Sequence, residues 1–187
     1  LKNYDRNSSY AGSPEIIRSF LQKESNLILC DLHSAEAEKL KELYKHAENI
    51  HVHKRDCYEA VRALTPPLPI RGFALFDPSY EVDSDYTAIA ESAEKVYKKW
   101  PIGIFIIWYP ILNHKIEESR ALKSRITKAM NNKILNIEVK HFSNKIDSEN
   151  EYGLQGSGLL ITNPPWGLEE KLKEICEYVE KVSAGLY

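Results

Sequence analysis

A chain of 187 residues with 43% hydrophobic residues is long enough for one well-buried domain and too short for two comfortable ones. Its 25 lysines and arginines against 27 acids leave a net charge of -2, which excludes the global positive field of a small nucleic-acid-coating protein and confines any nucleic-acid surface to a local patch. The three cysteines, Cys30, Cys57 and Cys176, are far apart and lack a C-x-x-C pair, which argues against a disulfide framework or a structural zinc site.

In chain order, Lys2 to Ser9 reads as a polar loop or helix end rather than a native start, so residues upstream are expected. Ser13 as N-cap and Pro14 at the first helical position predict a helix to about Lys23, with Ile16, Ile17, Phe20 and Leu21 at helical spacing. Leu27 to Cys30, ending on Asp31, has the continuous apolar pattern of a parallel strand buried on both faces. Ser34 to Glu48 reads as an amphipathic helix with Ala37, Leu40, Leu43, Tyr44 and Ala47 inward, and Ile50 to His53 as an alternating strand. A short helix, Tyr58 to Leu64, is cut off by Pro66-Pro67.

Phe73 to Phe76 forms a strand stopped by Asp77-Pro78, Tyr86 to Trp100 a helix, and Ile104 to Trp108 a strongly apolar strand. A charged helix over Asn113 to about Met130 precedes a strand from Ile134 to about Phe142. A polar loop leads to Gly158, then the strand Leu159 to Thr162 and the closing helix Leu168 to Val182. Loop alone joins the last two strands, which predicts an antiparallel hairpin at the edge of a mostly parallel sheet. Residues 1–187 are therefore expected to form a single three-layer α/β domain, with ligands outside the carboxyl ends of the strands. Those ends are Asp31, Arg55-Asp56, Asp77-Pro78-Ser79-Tyr80, Trp108-Tyr109-Pro110 and Asn163-Pro164-Pro165-Trp166. No apolar run approaches the roughly 20 residues that span a bilayer, and no charged-then-apolar leader opens the chain, so a soluble cytoplasmic protein without a membrane partner is expected.

Two of these ends suit an exocyclic adenine amino group. That nitrogen is a poor nucleophile because its lone pair is delocalised into the ring, so an enzyme must hold it with hydrogen-bond acceptors. An Asp or Asn oxygen and the following prolyl carbonyl each accept one N–H, while an aromatic ring stacks on the extruded base. Asn163-Pro164-Pro165-Trp166 fits this pattern letter for letter, whereas Asp77-Pro78-Ser79-Tyr80 carries Ser at the second proline. Position favours Asp77, which follows two acid-ended strands and precedes a helix. Taken alone, four such letters are more often a turn that ends a strand. Asp31 stands where an acid can accept the ribose hydroxyl protons of a nucleoside cofactor, and Asp56 with the Cys57 backbone N–H stands where an adenine can be read.

The run Tyr10-Ala11-Gly12-Ser13-Pro14, the strand ending Asp31-Leu32-His33, Arg55-Asp56-Cys57, Phe76-Asp77-Pro78-Ser79-Tyr80, Trp108-Tyr109-Pro110, and Ser157-Gly158 before Asn163-Pro164-Pro165-Trp166 together resemble the bacterial 23S rRNA adenine-N6 methyltransferase family of the RlmJ type. The resemblance covers essentially the whole chain. It implies a Rossmann-like, S-adenosyl-L-methionine-dependent methyltransferase domain that modifies an adenine of 23S rRNA, expected to be protein-free. It also implies that Ser13, Asp31, Asp56 and Cys57 touch the cofactor, that Asp77 and Pro78 accept the amino group's protons, and that Tyr80 stacks on the base. Family members usually carry proline at Ser79, glutamate at Asp31 and glycine at Cys57, and Cys57 would be strained if its backbone needed a positive φ. They also carry a glycine-rich turn after a first, central strand, for which these residues have no counterpart. The chain is thus expected to be incomplete at its N-terminus, lacking that strand.

The only basic stretch, His114 to Lys145, holds Lys115, Arg120, Lys123, Arg125, Lys128, Lys133, Lys140 and Lys145 against Glu117, Glu118 and Glu138, and reads equally as a solvated helix face or an RNA-phosphate surface. His51 and His53 share a strand face but have no third ligand in view, so no metal is expected. Two rival functions remain: a DNA adenine-N6 methyltransferase, and a non-catalytic nucleic-acid-binding protein of the same fold.

Overall fold

The structure, a computed structural model, describes residues 11–131, 134–140 and 153–183. The chain divides into two units, Leu1–Ala60 and Val61–Tyr187. The expected segments at Leu1 to Tyr10, Lys133 and 141–152 lie outside the described residues.

In the first unit, α1 (Ser13–Phe20) starts one residue earlier than its spacing predicts. Gly12 is the N-cap, its carbonyl accepting the N–H groups of Glu15 and Ile16 at 3.1 Å each. Ser13 is therefore the first helical residue, and Pro14 still sits in the first turn, where no donor is needed. β1 (Leu27–Asp31), α2 (Ser34–Tyr44) and β2 (Ile50–Lys54) form a βαβ unit, with β1 and β2 parallel from Leu27↔Ile50 to Asp31↔Lys54. Leu27, Tyr44 and Ile50 make a small core joined by Ile17, Leu21, Leu29, Leu40, Ala47 and Val52. Burial on both faces was the expectation for β1, but only one face is covered: Ile28 is 43% exposed and its register partner His51 is exposed. Leu43, expected inward, also faces solvent.

α3 (Cys57–Leu64) spans the division. The second unit continues with β3 (Phe73–Phe76), α4 (Ser84–Lys99), β4 (Ile104–Leu112), a 3-10 turn at Asn113–Lys115, α5 (Ile116–Ala129), β5 (Ile134–Lys140), β6 (Leu154–Thr162) and α6 (Leu168–Ser183). Its sheet has the order β3-β4-β6-β5. β3 and β4 are parallel, and β6 runs antiparallel to both β4 and β5. The antiparallel hairpin is present, with its second strand inside the sheet and β5 on the edge.

Two neighbouring strands are longer than expected, each for its own reason. Trp108-Tyr109-Pro110 reads as a strand end because proline cannot donate to a ladder, yet β4 runs on to Leu112 and pairs there with β6. Beyond Ile107 the β3 side of β4 has no ladder, so that flank tolerates proline. Gly156-Ser157-Gly158 reads as loop but is the first half of β6. Gly158 faces Tyr109 across the ladder, and a Cβ there would come within 2.1 Å of the Tyr109 ring. The glycine makes room for the aromatic ring.

Phe105, Ile107 and Tyr109 alternate inward on β4 and are fully buried, with Ile89, Ala93 and Val96 of α4 and Leu122 and Ile126 of α5. Burial of each large side chain contributes about 1.5–3 kcal/mol. The Tyr109 hydroxyl lies 2.6 Å from Glu138 Oε1 and 2.7 Å from the Asn136 side-chain oxygen, and Lys123 pairs with Glu138 at 2.8 Å. Burial, then the Glu138 carboxylate, hold the phenol's ionisation far above its ordinary range. Burial acts to raise Glu138 itself, but hydrogen bonds from Lys123 and Tyr109 outweigh it and hold the carboxyl below its ordinary value.

Candidate active site

The first unit brings Asp31 and Asp56 to one end of its parallel pair. The Arg55 N–H donates to the Asp31 carbonyl at 3.2 Å, continuing the ladder past β2. Asp31 Oδ1 accepts the His33 N–H at 2.7 Å, closing the turn into α2. Asp56 Oδ1 accepts the Glu59 N–H at 2.7 Å and so caps α3. Each acid thus shapes its own turn with one oxygen, and a carboxylate offers about four lone-pair sites in all. Cys57 opens α3 in helical conformation, so the strain expected from a positive φ is absent. Burial and the neighbouring Asp56 push its thiol up to about 11 although the residue keeps an exposed surface, which leaves it protonated and unreactive at neutral pH. Ser13 stands at the start of α1.

The second unit holds the Asp77 loop. β3 ends at Phe76, and Asp77-Pro78-Ser79 leads to Tyr80, whose φ of 55° lies in the left-handed region. Desolvation raises the Asp77 carboxyl above its ordinary value, and no hydrogen bond or ion pair to it is formed among the described residues. Tyr80 is 3% exposed. Its hydroxyl donates to the Trp108 carbonyl, and its ring lies 4.6 Å from that of Tyr86 and 5.8 Å from that of Trp108, centroid to centroid. The ring therefore fixes the loop against β4 and α4 in this conformation, rather than presenting a face to solvent. Lys115 closes the loop from the other side, donating to the Tyr80 carbonyl at 3.3 Å and pairing with Asp83 at 2.8 Å. Its role has no signature in the sequence, because the partners are 35 and 32 residues away.

The better-spelled loop lies at the opposite end of the same sheet. β6 is antiparallel to β4, so Asn163 follows the end of β6 near the start of β4. Asn163 has φ 45°, and its side-chain amide donates to the carbonyls of Pro101 and Gly103 at 2.8 and 2.9 Å. Both donors of the amide are engaged in holding the turn before β4. The Thr162 hydroxyl beside it accepts the Phe105 N–H at 2.8 Å and donates to the Gly103 carbonyl at 3.2 Å. Trp166 is fully exposed.

Half of the basic stretch is paired with carboxylates, while Lys128 and Lys140 are exposed and form no ion pair among the described residues. Beyond Lys115–Asp83, Arg120 pairs with Glu117, Lys123 with Glu138 and Arg125 with Glu94. Lys133 and Lys145 lie outside the described residues. His51 and His53 are exposed on β2, and among the described residues no three His, Cys, Asp or Glu side chains come together as metal ligands. Among those residues no helix is long and apolar enough to cross a membrane.

A family model described as Ribosomal RNA large subunit methyltransferase D, RlmJ, matches residues 1–185. The chain is 34% identical over 176 residues to Ribosomal RNA large subunit methyltransferase J of Haemophilus influenzae, covering 92% of this chain and 59% of that protein. It is 29% identical to the Escherichia coli protein of the same name, covering 99% of this chain and 66% of that one. A crystal structure of a Legionella pneumophila protein superposes with a TM-score of 0.85 at 28% identity, covering 97% of this chain and 66% of the other. The chain therefore spans about six-tenths of the length of the curated relatives it matches.

Proposed function

Because this chain belongs to the large-subunit ribosomal RNA methyltransferase family that its residues 1–185 match, we propose that it methylates the N6 amino group of an adenine in protein-free 23S rRNA. The observation that carries this reading is Asp77: a desolvated carboxylate without a partner among the described residues, closing a parallel strand and followed by proline. Adenine offers two N–H donors, and the Asp77 carboxylate and Pro78 carbonyl are two acceptors on adjacent residues. Accepting both draws the nitrogen toward a tetrahedral, electron-rich state. The raised pKa of Asp77 suits it to receive the proton that the nitrogen sheds once methylated. Tyr80 stacks on the base, for which its ring exchanges contact with Tyr86 for contact with adenine.

S-adenosyl-L-methionine, when bound, supplies an electrophilic methyl group. The donor set fits its nucleoside half. Asp31 and Asp56 stand together at the carboxyl end of the β1-β2 pair, where Asp31 is suited to accept ribose hydroxyl protons and Asp56 the adenine amino group. Cys57 would contribute its backbone, and Ser13 a contact at the start of α1. The glycine turn and central strand of a Rossmann-like methyltransferase domain would come from residues beyond these 187, and an rRNA substrate places the enzyme in the cytoplasm.

Labelled methyl transfer by the full-length protein tests this directly. Incorporation into protein-free 23S rRNA, none into adenine-containing DNA, and a donor KM raised about tenfold or more by Asp31→Ala are expected. Incorporation into DNA alone would favour the DNA methyltransferase, and none into either the non-catalytic protein.

A further inference from the structure

The end of the second unit opposite Asp77 carries an unexplained surface. Four segments meet there through hydrogen bonds. The Trp100 indole donates to the Ile70 carbonyl at 2.8 Å, the Ile104 N–H to the Gly72 carbonyl at 3.3 Å, Lys99 Nζ to the Arg62 carbonyl, and the Asn163 amide to the Pro101 and Gly103 carbonyls. Around this buried tryptophan the surface is apolar and open. Leu68 is 95% exposed, Ile70, Phe73 and Ile102 are each about half exposed, and Trp166 is bare.

Charge identifies the occupant. Residues 61–73 and 95–104, which build most of this end, contain Arg62, Arg71, Lys95, Lys98 and Lys99 and no acid, with Glu91 and Glu94 one turn earlier on α4. Lys95 lies 3.9 Å from Glu91, and Lys98 acts on the carboxyl of Glu94, one turn earlier on α4 and already held by Arg125, whereas Arg71 is exposed and forms no ion pair among the described residues. The nearest acids beyond Trp166 are Glu169 and Glu170 on α6, of which Glu169 is paired with Lys173 at 2.6 Å. Exposed aromatic and apolar side chains among exposed cations match a single-stranded polyanion whose bases can stack.

We infer that this end, with Arg71, Lys98 and Trp166 as its contacts, is a second RNA-binding surface that holds an unpaired stretch of the substrate away from the reacting adenine. The inference rests on the RNA-methyltransferase reading for the kind of polymer, and on charge and exposure for the place. Arg71 and Lys98 take phosphates, and Trp166 takes a base face.

Fluorescence anisotropy with the full-length protein and a labelled single-stranded RNA of about 16 nucleotides tests it. The Arg71→Glu, Lys98→Glu double variant should weaken binding about tenfold and flatten the salt dependence by about 1.4 in log–log slope, at about 0.7 per lost phosphate contact. Trp166→Ala should weaken binding about 5-fold or more without lowering Tm, since the ring is bare. Arg120→Glu on α5, where the cation is already paired with Glu117, is the control and should leave affinity within about twofold. Unchanged affinity and salt slope in the double variant of intact fold would overturn the inference. So would a change of oligomeric state on sedimentation with RNA affinity unchanged, which would make the surface an interface between protein chains. If the wild type transfers no methyl group yet the double variant loses RNA binding, the catalytic reading fails and this one stands.

Discussion

Asp77-Pro78-Ser79-Tyr80 and Asn163-Pro164-Pro165-Trp166 are near-synonyms in sequence and opposites in structure. They sit at the two ends of one four-stranded sheet. The first leaves its acid desolvated and without a partner among the described residues while its aromatic ring is packed away. The second ties both amide donors into a turn and leaves its aromatic ring in solvent. An acceptor committed to no internal bond is available to a substrate, and an amide committed to two is a piece of scaffold. The difference follows from strand direction: a parallel strand delivers its carboxyl end to one side of the sheet, an antiparallel one to the other.

Substitutions can break or sharpen this contrast. Asp77→Ala should lower methyl transfer by about 10²–10⁴-fold with Tm little changed, measured as initial rate on rRNA. Asn163→Ala should show the reverse pattern. It leaves the Pro101 carbonyl without its side-chain donor and the Gly103 carbonyl with the Thr162 hydroxyl alone, costing about 1–3 kcal/mol in urea denaturation, with rate per folded molecule retained. Lys115→Met should cut kcat several-fold by releasing the Tyr80 loop, while stability falls by about 1 kcal/mol or less because Asp83 is exposed; Lys115→Arg should restore part of the rate. The smallest effect concerns pH. Burial raises the folded-state pKa of Asp77, so the native chain binds the proton more tightly than the unfolded one. Its ionisation therefore erodes stability as pH rises through the window from its ordinary value to the raised one. Asp77→Asn should thus gain in Tm over wild type at pH 7, and the gain should vanish below the ordinary carboxylate range.

Among the described residues, sequence patterning found every strand and α-helix, because short apolar runs bounded by Gly, Pro and Asp are strong local signals. Its errors lie where a distant partner decides. Pro110 and Gly158 are strand breakers by local propensity, yet Pro110 sits in β4 because its β3 flank has no ladder there, and Gly158 in β6 because the Tyr109 ring covers it. Ile28 reads as core but lies on the uncovered face of β1. At the candidate site, the chain position of Asp77 was legible, and so were the acids at Asp31 and Asp56. The burial of Tyr80 was not, nor the engagement of Lys115 with Asp83 and Tyr80. A basic stretch counted along the chain likewise says nothing of the carboxylates that fold against it, which is why α5 reads as more cationic than it is.

The most direct measurement is single-turnover methyl transfer to 23S rRNA by Asp77→Ala and Asn163→Ala full-length proteins, side by side at a temperature where circular dichroism shows both folded. The rate should collapse for Asp77→Ala and persist for Asn163→Ala. Persistence with Asp77→Ala and collapse with a folded Asn163→Ala would place the chemistry at the other end of the sheet and contradict the account.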